Sequence, residues 1–120
     1  LKCKKIKIAI ASCSDSDYIH KKLIEANIDD DIFDSIIGGY MITKPKPDAQ
    51  IYLKSCEELQ VNPQNVLALE DSDYGIESAY NAGIKPILIP DLKIPTKQTL
   101  NMTFKKCNNL LEVIDLFNEE

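Results

Sequence analysis

Short apolar runs and amphipathic helical runs alternate along the whole chain, and that alternation limits the possible folds more than any other feature. "KIKIAIAS", Lys5 to Ser12, alternates and then turns fully apolar, as a strand buried on both faces does. "DSDYIHKKLIEANI" follows, with a Ser/Asp start suited to an N-cap and with Tyr18, Ile19, Leu23, Ile24 and Ile28 at helical spacing. "FDSIIGG" reads as a short strand closed by glycines. "KPKPDAQIYLKSCEELQV" predicts a helix that starts no earlier than Pro47 and puts Ile51, Tyr52, Cys56 and Leu59 on one face. "NVLALE" is the next strand, "DYGIESAYNAG" a short helix stopped by Gly83, and "IKPILIP" a further strand. "DLKIPTKQTLN" reads as a loop, "MTFKKC" as a last short strand and "NNLLEVIDLF" as a closing helix. The expected architecture is α/β: a Rossmann-like parallel sheet with helices on both faces, in a single domain over residues 1–120.

The chain's 120 residues suffice for one core, and a net charge of −5 argues against a general binder of nucleic acid or anionic membrane. No apolar run approaches the ~20 residues of a membrane span. All 14 basic side chains are lysines, so a bound anion must be held by Lys, hydroxyls and backbone N–H groups rather than by Arg forks. Cys3, Cys13, Cys56 and Cys107 are scattered, without zinc-ligand spacing, which suggests reduced thiols and a cytoplasmic protein.

In open parallel sheets, ligands bind beyond the carboxyl ends of the strands. The first strand ends at Ser12, the loop after the second carries Lys44, and the third ends in the adjacent acids Glu70 and Asp71. Taken singly, Ser12 reads as a helix cap, Lys44 as a surface lysine, and Glu70–Asp71 as a first-turn pair favoured by a helix dipole. Asp15 and Asp17 read as first-turn acids, His20 as a helix-surface residue, Cys13 as a small buried residue, and Tyr18, Tyr74 and Tyr80 as packing. The pattern as a whole points to chemistry. Adjacent carboxylates become tolerable if they share a hard cation such as Mg²⁺, and a cation, a lysine and a hydroxyl near a helix N-terminus make a site for a phosphoryl group.

The motifs "IAIASCS", "TKPKPD" and "LALEDSDYGIESAYNAG" resemble, in order and spacing, the second, third and fourth motifs of the haloacid dehalogenase-like superfamily. The branch most resembled contains β-phosphoglucomutase and phosphoglycolate phosphatase. Ser12 lies 32 residues before Lys44, and Lys44 lies 27 before Asp71. The resemblance implies a phosphatase or phosphomutase that acts on a small phosphorylated metabolite through an aspartyl-phosphate. It implies that Ser12 and the backbone N–H of Cys13 hold the phosphoryl group, that Lys44 neutralises it, and that Glu70 and Asp71 hold Mg²⁺. Ser72 and Gly75 would shape the turn into the following helix. The family's first motif, an apolar strand followed by D-x-D-G-[TV] that carries the nucleophile, has no match here. Neither "DSD" at Asp15–Asp17 nor "DSDYG" at Asp71–Gly75 fits it. The expectation is therefore the C-terminal part of such a core, without the first-motif strand and the cap. The vacant central position would be filled by a missing N-terminal segment or by another chain. An inactive Mg²⁺-binding or structural remnant is the alternative. A response-regulator receiver also groups acids, a hydroxyl and a lysine, but with the acids first and the lysine last.

Overall fold

The computed structural model describes residues 6–89, 95–109 and 112–113. Five strands, β1 (Ala9–Ala11), β2 (Ser35–Ile37), β3 (Leu67–Glu70), β4 (Lys85–Leu88) and β5 (Lys105–Lys106), alternate with four helices. The helices are α1 (Ser16–Glu25), α2 (Gln50–Leu59), α3 (Asp73–Asn81) and α4 (Lys97–Met102). Every strand pairing is parallel, as the sequence predicts. The strands form two sheets: β1 pairs with β2, and β3, β4 and β5 pair in that order, so β1 and β3, expected to flank a vacant position, do not pair with each other.

Local chemistry explains the element ends. Asp15 caps α1, its carboxylate accepting a hydrogen bond from the Tyr18 N–H at 2.9 Å, so Ser12 is not the helix cap. Helix α2 waits until the prolines are past and starts at Gln50, with the Asp48 carboxylate accepting from the Gln50 N–H at 2.9 Å. Ser72 caps α3, and the chain then turns through Gly83 at φ +83°, a left-handed conformation that favours glycine.

The predicted face of α2 is buried: Ile51, Tyr52, Cys56 and Leu59 all pack inward. Ile51 joins Ile37, Ala68, Ala79 and Ile84 in one cluster, while Ile87, Cys107 and Val113 form a second cluster against Leu67. On β3 the side chains alternate, so Ala68 enters the first cluster and Leu67 the second.

Several expectations are overturned. Only Ile19 and Leu23 of the α1 stripe are buried, whereas Tyr18, Ile24 and Ile28 are exposed. Tyr74 and Tyr80 are exposed too, so none of those three tyrosines packs in the core. Cys13 is exposed rather than buried. The segment read as a loop contains α4, which Thr96 caps by accepting from the Thr99 N–H at 3.1 Å. Thr99 is buried and donates to Asp73 of α3 at 2.5 Å, which ties α4 to α3. Most of the predicted closing helix lies outside the described residues, as do Cys3 and the residues just after the β4 strand.

Ile51 has no exposed surface and sits at the centre of the first cluster. Ile51→Ala should therefore destabilise the chain by about 2–5 kcal/mol, read from the urea midpoint at an unchanged m-value.

Candidate functional site

The carboxyl ends of β1 and β3 are joined by one side chain. The Lys46 ammonium donates to the Ala11 carbonyl at 3.2 Å and to Glu70 Oε1 at 2.5 Å. Its side chain and that of Glu70 are 17% and 9% exposed, so the ion pair is largely desolvated. Tyr52 of α2 donates its hydroxyl to the same Glu70 oxygen, and its ring lies 5.3 Å from the Lys46 ammonium. Lysine, tyrosine and glutamate thus form one charge-assisted network between the two sheets.

Glycine makes room for it. A Cβ on Gly75 would lie 1.9 Å from Glu70 Oε2, so only glycine at this turn of α3 lets the carboxylate fold back over the helix. The Gly75 N–H donates to the capping Ser72 hydroxyl at 3.0 Å, so Ser72 and Gly75 shape this turn together. On the β1 side, Gly38 and Gly39 let the end of β2 run against the Cys13–Ser16 backbone, where a Cβ on Gly39 would lie 2.5 Å from the Cys13 carbonyl oxygen. The Gly39 N–H donates to the Ser14 carbonyl at 2.8 Å, and the Ser12 hydroxyl accepts from the Ser14 N–H at 3.1 Å. Ser12 follows directly on Ala11, whose carbonyl Lys46 engages.

The structure gives the ammonium's place to Lys46, not to Lys44. Gln50 explains this: its side-chain carbonyl accepts from the Thr43 and Lys44 N–H groups at 2.7 and 2.8 Å. The loop is pinned there with the Lys44 side chain exposed, and the inward-facing lysine comes two residues later. The expectation that Lys44 converges with Glu70 and Asp71 on one pocket is therefore not met. The two acids also part company: Glu70 is turned inward to Lys46 and Tyr52, whereas Asp71 is exposed. Sequence reasoning missed Lys46 and Tyr52 as site residues. The "KPKP" repeat offered two lysines, and Tyr52 was read only as part of the buried face of α2.

Among the described residues no three His, Cys, Asp or Glu side chains gather closely enough to form a metal cage. The carboxylates present are nevertheless hard oxygen donors. Asp71 is exposed, and Glu70 receives its two hydrogen bonds at Oε1, leaving Oε2 over Gly75. Mg²⁺ takes one or two carboxylates and completes its shell with water and substrate oxygens, so this donor set fits it and does not fit a closed zinc site.

Burial above all, then the Glu70 charge and hydrogen bond, and then Cys13, push the Tyr52 phenol far above its ordinary value of 10.0. The folded chain therefore keeps this proton after the unfolded chain would release it. The stability that this contributes is complete below pH 10 and declines as pH rises above it. Between pH 10 and 12 the wild type should lose up to about 1.4 kcal/mol per pH unit more than Tyr52→Phe, measured by urea unfolding. Equal slopes would show that the phenol is not held in its neutral form.

Comparison with known proteins gives this geometry its context. Residues 1–89 match the family model of the haloacid dehalogenase-like hydrolases. A phosphorylated carbohydrates phosphatase from Thermotoga maritima is 36% identical over 87 residues, which cover 72% of this chain and 40% of the relative. A β-phosphoglucomutase from Bacillus subtilis is 34% identical over 114 residues, covering 88% of this chain and 48% of the relative. The crystal structure of a putative β-phosphoglucomutase from Thermotoga maritima superposes with a TM-score of 0.87 at 28% identity, covering 98% of this chain and 55% of that one. The chain thus spans about half the length of the proteins it matches.

Proposed function

Since the chain belongs to the haloacid dehalogenase-like hydrolases, we propose that it supplies the phosphate-holding part of a Mg²⁺-dependent enzyme that transfers a phosphoryl group from a small phosphorylated metabolite. The observation that carries this reading is the Lys46 ammonium, held between the Ala11 carbonyl at the end of β1 and the Glu70 carboxylate at the end of β3. In this reading Ser12 donates its hydroxyl to a phosphoryl oxygen, helped by the Cys13 N–H. Lys46 offsets charge on the phosphoryl group, and Glu70 and Tyr52 fix where its ammonium points. Asp71, with Glu70 beside it, would hold Mg²⁺, which when bound would offset further negative charge on the transferring group. None of Ser12, Lys46, Glu70 and Asp71 serves as nucleophile in this reading. An aspartyl nucleophile would come from elsewhere in the complete polypeptide.

Two measurements test it. The isolated 120-residue chain should not hydrolyse p-nitrophenyl phosphate in the presence of Mg²⁺, because its residues hold and neutralise but do not attack. Robust turnover by this chain would refute that division of labour. In the complete polypeptide, Lys46→Ala should lower kcat by roughly 10²-fold or more, on the scale of losing one transition-state charge partner, and Lys44→Ala should cost far less. The opposite ranking would return the role to Lys44.

A further inference from the structure

The two oxygens of Glu70 have different surroundings. Oε1 accepts from both the Lys46 ammonium and the Tyr52 hydroxyl. Oε2 lies over Gly75 in the first turn of α3, shortly after Asp71. Gly75 keeps that side open, since a Cβ there would lie 1.9 Å from Oε2. Every buried side-chain nitrogen and oxygen among the described residues has a hydrogen-bond partner, so Oε2, which takes none, is not sealed from solvent. The two donors at Oε1 differ in how firmly they are placed. Lys46 reaches Glu70 on a long flexible stem and shares its ammonium with the Ala11 carbonyl. Tyr52 is 8% exposed and belongs to the first core cluster, with Ile37, Ile51, Cys56 and Ala68. A phenol has few side-chain torsions, and close packing around the ring holds them. The lysine is therefore free to turn toward an anion, whereas the tyrosine hydroxyl cannot leave Oε1 without disturbing the core.

A carboxylate with both oxygens open can grip a cation through both. One whose Oε1 is held by a fixed donor offers a single oxygen. Ca²⁺ takes many oxygens in a flexible shell and accepts both from one carboxylate, whereas Mg²⁺ demands a near-octahedral shell and keeps several waters. We propose that Tyr52 is a positioning residue that sets the cation preference of this site. Its hydroxyl keeps Glu70 Oε1 occupied even when Lys46 turns away, so that Glu70 meets a cation through Oε2 alone, and this favours Mg²⁺ over Ca²⁺. The role rests on the phosphoryl-transfer reading, which puts a cation at Glu70 and Asp71. Phenylalanine at position 52 fills the same space in the core and removes only the donor, so Tyr52→Phe separates the hydroxyl from the packing.

The test is cation binding by the complete polypeptide, measured by calorimetry with Mg²⁺ alone and with Ca²⁺ alone, in the wild type, Tyr52→Phe and Asp71→Asn. Asp71→Asn should weaken Mg²⁺ binding by about tenfold or more, which establishes that the cation sits here. A wild type that binds no Mg²⁺, or an Asp71→Asn variant with unchanged affinity, removes the cation from the phosphoryl-transfer reading and overturns the role of Tyr52 with it. Where Asp71 is confirmed, Tyr52→Phe should tighten Ca²⁺ binding by about tenfold, the worth of one hydrogen bond to a charged group, and change Mg²⁺ binding by less than about threefold. An unchanged ratio of the two affinities in a folded Tyr52→Phe protein refutes the role of Tyr52 and leaves the cation reading intact. A second measurement needs no variant. The Tyr52 hydroxyl proton, held by Glu70, should give a slowly exchanging NMR signal that persists when the complete polypeptide is saturated with Mg²⁺. Disappearance of that signal on saturation would show that the hydroxyl releases Oε1, and would overturn the proposal.

Discussion

The Lys46 ammonium ties the two halves of the sheet together at the carboxyl ends of β1 and β3. Its bonds to the Ala11 carbonyl and the Glu70 carboxylate bridge strands that share no backbone hydrogen bond. A largely buried ion pair is weak evidence for stability, because desolvating both charges offsets most of their attraction. Removing one partner is different, since it strands the other charge in a low-dielectric site. The arrangement is therefore better understood as a positioning device. The Tyr52 hydroxyl and the Lys46 ammonium converge on a single Glu70 oxygen, and that oxygen can be there only because Gly75 carries no side chain.

This network also explains why two acids stand side by side at the end of a strand. They do not share an environment. Strand geometry sends successive side chains to opposite faces. Glu70 is carried inward to a lysine that offsets its charge, and Asp71 is carried out to solvent. The repulsion expected of adjacent carboxylates is relieved before any cation arrives. Asp71 is thus open to an incoming ion, and Glu70 is already held in place.

Periodicity and turn chemistry made most of the fold legible in the sequence. The parallel pairing, the buried face of α2, the proline-delayed start of that helix and the glycine after α3 all follow from rules that act within a few residues. Misreadings arose where tertiary context decides. Tyr18, Ile24 and Ile28 have helical spacing but stay exposed. Helix α4 was hidden because its stability comes from Thr99 bonding to Asp73, 26 residues away. At the candidate site, the sequence pointed to the loop before α2 and to the end of β3, where Lys46 and Glu70 meet. It could not choose between Lys44 and Lys46, because the choice rests on Gln50 capturing two backbone N–H groups across the loop.

The position of the Lys46 ammonium is set jointly by the Glu70 carboxylate and by the Ala11 carbonyl at the end of β1. Ser12 and Asp71 follow directly on the two strand ends that this side chain ties together. A shift of either strand would therefore move the lysine against one of its two partners. The strand ends are held relative to one another through one ion-paired side chain, because β1 and β3 belong to separate sheets.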